Sequence, residues 1–160
     1  MDWSDAIKLV HVVLGFTLVT GLIGRWSLER RAGSASDPET AFALSQASSP
    51  FERLVLISGP AIILAGLATA WVKGYPYLGL TTGWMLLSLA LVLVFPFVLA
   101  PLVYIPCTKA IDSAMTEARE KGVFTQELRA AFKSRALLSA RWYEAVAMTL
   151  VIALMVLKPF

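Results

Sequence analysis

The sequence predicts an all-α, four-helix transmembrane bundle with short cytoplasmic surface helices, and three observations carry that prediction. Apolar residues make up 58% of the chain and charged residues only 16%, against roughly 25% charged in an ordinary soluble domain. Four separate apolar runs approach spanning length, more than a single globule of 160 residues could hide. The positive charges gather in two of the connections instead of spreading along the chain. The net charge of +3 and the pI of about 9.2 follow from that placement. The partner it implies is the lipid bilayer and not nucleic acid. Cys107 is the only cysteine, which excludes an internal disulfide and a Cys-rich metal cluster.

One integral membrane domain is expected over 1–160, with spans at about 6–25, 53–72, 83–105 and 141–158 and cytoplasmic segments at about 26–52 and 106–140. The first apolar run, Leu9 to Gly24 between Lys8 and Arg25, would be roughly 24 Å long as a helix. It does not read as a cleaved signal peptide. Asp2 and Asp5 stand where a basic n-region belongs, and Gly24-Arg25-Trp26 is no small-residue cleavage site.

The polar stretch from Arg25 to Ser49 contains Asp37-Pro38-Glu39, an N-cap residue followed by proline at the first helical position, which predicts a short surface helix. Ser49-Pro50-Phe51-Glu52 has the capping-box pattern and is expected to open the second span, in which Pro60 bends the helix near Ser58-Gly59. The turn from Lys73 to Gly83, with Trp71 and Trp84, resembles an aromatic belt at a water interface.

The third span carries Pro96, Pro101 and Pro106 at intervals of five. Its second half cannot be a regular helix unless neighbours or water satisfy the freed carbonyls, so a kink is expected. From Cys107 to Arg141 the chain is charged, with Ile111 and Met115 at helical spacing, a break at Gly122, and Phe124, Leu128 and Phe132 at helical spacing again. That is a helical hairpin at or beyond the membrane surface. The last span, Trp142 to Leu157, is short, and Arg141 and Lys158 are expected to snorkel toward the two interfaces.

Eleven Lys and Arg residues border the first and third connections, and only Lys8, Lys73 and Lys158 lie on the other side. The positive-inside rule then places both long connections in the cytoplasm and both termini outside a bacterial inner membrane.

Few residues in the spans carry chemistry. His11 is the only histidine and sits about one turn inside the first span, where it reads either as a metal or haem ligand or as a group that bridges two helices. Gly15, one turn further on the same face, either opens that face to a flat macrocycle or packs a close helix crossing. Glu144 is the one acid in the spans; lying three residues after Arg141, it reads as half of a local ion pair rather than a proton relay. Arg25 reads as a positive-inside anchor or a lipid-phosphate contact, and Cys107 as a reduced, unreactive thiol. There is no Gly-rich phosphate loop, HExxH, GxSxG or cluster of Cys, His, Asp and Glu at metal spacing. Soluble-type hydrolysis is therefore disfavoured.

Lys8 to Gly15 (KLVHVVLG), the basic third connection and the ending Ala153 to Phe160 (ALMVLKPF) together resemble the bacterial predicted integral membrane proteins grouped as domain of unknown function 2269. More distantly, the first span is similar to that of copper-resistance D-like and HemJ-type membrane proteins, in which a first-helix histidine is followed by small residues and an arginine. Here these are His11, Gly21 and Arg25. Trp84-Met85 also fits the HemJ-type pattern, but Ser88 stands where that pattern has a lysine. The resemblance carries over His11 as a candidate ligand and nothing further.

Two main readings follow. In the first, His11 binds haem or a porphyrin for a redox role, with Gly15 giving access; a second ligand would be Met, another donor, water, or His11 of a second subunit in a homodimer. In the second, the chain is a non-catalytic membrane subunit or assembly partner that docks through its cytoplasmic helices, a reading tested by replacing Phe124, Leu128 and Phe132 with polar residues. Small-solute transport through the proline-broken helix ranks third.

Overall fold

The computed structural model describes residues 2–159, and every regular element among them is helical. Helix α1 (Trp3–Ala32) leads to α2 (Pro38–Val72), a 3₁₀ turn (Pro76–Gly79) and α3 (Gly83–Val94). α3 continues through a π-helical segment (Phe95–Tyr104) into α4 (Ile105–Lys121), followed by α5 (Gln126–Phe132) and α6 (Arg135–Leu157). Four continuous helical stretches are long and apolar enough to cross a membrane. α1 has 30 residues and α2 has 35. At about 1.5 Å per residue they overshoot a hydrocarbon layer of about 30 Å by about 15 and 22 Å.

The overshoot corrects one expectation. Asp37 does start a helix: its carboxylate accepts from the Thr40 N–H at 2.8 Å and from the Thr40 hydroxyl at 2.8 Å. Those bonds hold the Asp37 carboxyl below the usual carboxylate range. The helix it starts is not a short one, however. It runs through Ser49-Pro50 and Pro60 to Val72, so the capping-box residues lie mid-helix. The reason is the grip of α1 on both sides of Pro50. Buried Ala32 and Ala41 belong to one cluster beyond it, while the Phe51 ring occupies the notch at Gly24, and Phe51 O and Val55 lie against Gly21. Packing outweighs one missing backbone donor.

The prolines of the third span act as expected, in a specific form. The Phe95 N–H donates to Val92 O, and Pro96 has no N–H to donate. The carbonyl of Leu91 therefore loses both its α-helical and its π-helical partner. Tyr143 of α6 supplies the replacement, its hydroxyl donating to Leu91 O at 3.0 Å. α4 then ends at Gly122, which takes the left-handed conformation (φ +66) that glycine adopts without penalty.

α1 packs along α2, and α3 along α6. These two helix pairs make the bundle. At the end that carries the 33–37 link and α5, here called the basic end, nine residues form the buried apolar core, among them Ala32, Ala41, Met115, Leu128 and Phe132. The expected hairpin is present, but it folds back onto the bundle. Leu128 is fully buried, Phe132 lies over Gly33, and Phe124 packs against the same cluster. Leu128 and Phe132 are thus covered by the chain's own helices, while Phe124 stays half-buried.

Candidate functional site: a polar seam and an apolar cavity

The two helix pairs meet along a seam. At its basic end, α1 and α6 exchange two ion pairs in antiparallel register. Arg25 Nη2 donates to both carboxylate oxygens of Glu144, at 3.0 and 2.9 Å, and Arg141 Nη2 donates to Glu29. Residues 25 and 29 lie one turn apart on α1, as do 141 and 144 on α6, so the outer arginine meets the outer glutamate and the inner arginine the inner one. Trp26 and Trp142 add an edge-to-face contact with ring centroids 6.3 Å apart. Glu144 thus pairs across the bundle with Arg25 and not, as its spacing suggested, with Arg141. Nor is Arg25 a free anchor, or Arg141 a snorkelling side chain: both are buried. The four charges cancel, which is what burial at a membrane boundary demands.

Two polar atoms at this junction are orphans. The Tyr104 hydroxyl and Arg141 Nε are buried without a hydrogen-bond partner. The Arg25 guanidinium lies over the Tyr104 ring, 4.7 Å from its centroid, so the tyrosine backs the Arg25–Glu144 pair.

Between the two helix pairs, alongside the π-helical segment, lies a cavity of about 510 Å³. Its walls are apolar, with Leu18 and Ile63 on one side and Phe95, Ala147 and Met148 on the other. Only Glu144 and Tyr143 bring polar side chains to it. Size and lining match a small-molecule site, a concave apolar space with a few placed polar groups. A π-helical stretch beside it is the kind of irregularity often found at functional sites.

The two residues singled out in the first span lie elsewhere, in the α1–α2 contact. His11 Nδ1 donates to Ile62 O at 3.2 Å, since a carbonyl can only accept. Its ring fits against Gly66, where a Cβ would lie 3.1 Å from His11 Cε1. A Cβ on Gly15 would meet Ile62 Cδ1 at 3.4 Å. Both residues therefore touch Ile62, and neither lines the cavity. Among the described residues there is no group of three or more His, Cys, Asp or Glu arranged to hold a metal ion. Cys107 Sγ lies 3.9 Å from Ser134 Oγ.

Sequence reasoning missed Tyr143 and Tyr104. The available signal for Tyr143 was Pro96, which announces an orphaned carbonyl without saying which helix will serve it. A family model described as "Predicted integral membrane protein (DUF2269)" matches residues 5–159. No curated protein and no solved structure matches the chain. The family match carries nothing about copper-resistance D-like or HemJ-type proteins.

Proposed function

The chain belongs to the DUF2269 family of predicted integral membrane proteins, and from that premise we propose that it holds one apolar, membrane-soluble molecule in the cavity beside the π-helix. In this reading it sits in a bacterial inner membrane with its basic connections in the cytoplasm and both termini outside, as the charge excess favours. The observation that carries the proposal is the cavity itself: about 510 Å³ of apolar space with two polar side chains in its wall. Both of those groups accept. The carboxylate of Glu144 keeps free lone pairs beside Arg25, and the Tyr143 oxygen does too, because its proton is committed to Leu91 O. The ligand head is then a neutral donor, since a second charge would unbalance a neutral buried pair. A long-chain alcohol or alkylphenol has that chemistry.

Gly59 lines the cavity, and a Cβ there would meet nothing within 4 Å. Gly59→Leu therefore fills the space without a backbone clash. The purified chain, incubated with a deuterated fatty alcohol and washed, is expected to retain it by native mass spectrometry, and Gly59→Leu to lose most of it. Equal retention by a folded Gly59→Leu sinks the reading.

A second reading keeps His11 as a haem ligand. Donation from Nδ1 to Ile62 O fixes the tautomer and leaves the Nε2 lone pair available, the arrangement that orients ligating histidines. No second histidine exists in the chain, so His11 of a second copy would complete a bis-histidine site in a homodimer. The test is an absorption spectrum, oxidised and reduced, of haem-supplied protein beside His11→Ala. A Soret band that disappears in the variant supports it, and a colourless, folded wild type ends it.

A further inference from the structure

We infer that the outer face of α1 at the basic end binds one anionic phospholipid. Ile23, Trp26, Ser27, Arg30, Arg31 and Ser34 line a shallow groove of about 370 Å³. Their spacing of three and four places them on one stripe of the helix, about 16 Å long. The stripe changes chemistry in a single direction. It begins with exposed Ile23 at the level of the apolar span, passes the indole of Trp26, and ends with Ser27, the two guanidiniums and Ser34 where α1 leaves the membrane. An acyl chain, a glycerol backbone and a phosphate follow one another in the same order.

Charge selects the occupant. On the seam side of α1, Arg25 is neutralised by Glu144, and Arg141 by Glu29. Arg30 and Arg31 are exposed and have no carboxylate within ion-pair distance among the described residues. Planar guanidiniums match phosphate oxygens in pairs, and two of them at an interface attract a headgroup of net negative charge. A zwitterionic lipid brings its own ammonium beside the phosphate and gains less. Trp26 is held by Trp142 across the seam. The wall between chain and headgroup is therefore fixed before the lipid arrives. The groove is separate from the cavity and does not depend on what the cavity holds.

The test uses the full chain in nanodiscs of phosphatidylcholine with a minor fraction of phosphatidylglycerol, reading lipid retained after detergent extraction by native mass spectrometry. The expected result is selective retention of phosphatidylglycerol, reduced roughly tenfold or more in Arg30→Gln/Arg31→Gln. It should be partly kept in Arg30→Lys/Arg31→Lys, which preserves charge but not the planar fork, and unchanged in Arg53→Gln, an exposed arginine of α2 that does not line the groove. Circular dichroism checks that each variant is folded. Three results would overturn the inference: phosphatidylglycerol kept by the folded double glutamine variant, an equal loss in Arg53→Gln, or displacement of the lipid by inorganic phosphate alone. The second would indicate a diffuse field, and the third a site for free phosphate.

Discussion

The basic end and the membrane half of this molecule are built from similar side chains arranged in opposite ways. At the basic end, apolar residues from all four long helical stretches point inward, and Leu128 is fully buried while its neighbours Glu127 and Arg129 face out. In the spans, large apolar side chains point outward, Ile57 at 70% exposure and Phe16 at 71%. The inside there has few large buried apolar side chains, Leu18, Val55 and Trp84 among them, and relies as well on glycine notches, a histidine, a tyrosine and the Arg25–Glu144 pair. Water drives the first arrangement by expelling apolar surface. Lipid cannot, being as apolar as leucine, so close approach and polar pairing hold the second. A cavity can persist in the membrane half because no solvent penalty forces that seam to close.

The largest expected effect tests the polar side of this contrast. Glu144→Ala leaves Arg25 buried without a partner and should cost about 3–5 kcal/mol, read as thermal unfolding in detergent. The double variant Arg25→Met/Glu144→Leu should recover most of it. If the single variant is near neutral, the seam is not held by its charges.

Next comes a paired comparison. Leu128→Ala should cost about 2–5 kcal/mol, whereas Ile57→Ala, on the lipid face, should stay within about 0.5 kcal/mol. Equal losses would break the distinction between the two regions.

Smaller still is Gly21→Ala. A Cβ there would lie 2.9 Å from Val55 Cγ2 and 3.0 Å from the Phe51 carbonyl oxygen. The helices must part slightly, at about 1–3 kcal/mol, visible as a lowered melting temperature.

The smallest effect is a pH signature at the exposed cap. The folded-state pKa of Asp37 is depressed by the Thr40 bonds. Its contribution is therefore present above the ordinary carboxylate pKa and is lost as pH falls through the depressed value. Melting curves of wild type and Asp37→Ala should differ at neutral pH and converge in acid.

Local signals were legible in the sequence and long-range ones were not. The spans follow from composition, the Asp37-Pro38 start from capping chemistry, the turn at Gly122 from a residue that tolerates positive φ, and the irregular third span from its prolines. Each is decided within a few residues. The capping-box reading of Ser49-Pro50 failed because the deciding contact, Phe51 on Gly24, comes from another helix. The Leu128 and Phe132 stripe was visible, but periodicity says only that a face is apolar and not that Gly33 lies beneath it. Glu144 has Arg141 three residues away in sequence and Arg25 at 119, and no local rule prefers the distant partner. The cavity was illegible for the same reason, since it lies between helix pairs whose association the sequence does not state.

That separation of 119 residues also sets a schedule for biogenesis. Translation at about 5–20 residues per second puts roughly 6–24 s between the synthesis of Arg25 and that of Glu144. During that interval Arg25 stands without the carboxylate that binds it in the folded chain. Synthesis of α6 brings that carboxylate, so the seam between the helix pairs closes only after most of the 160 residues have been made.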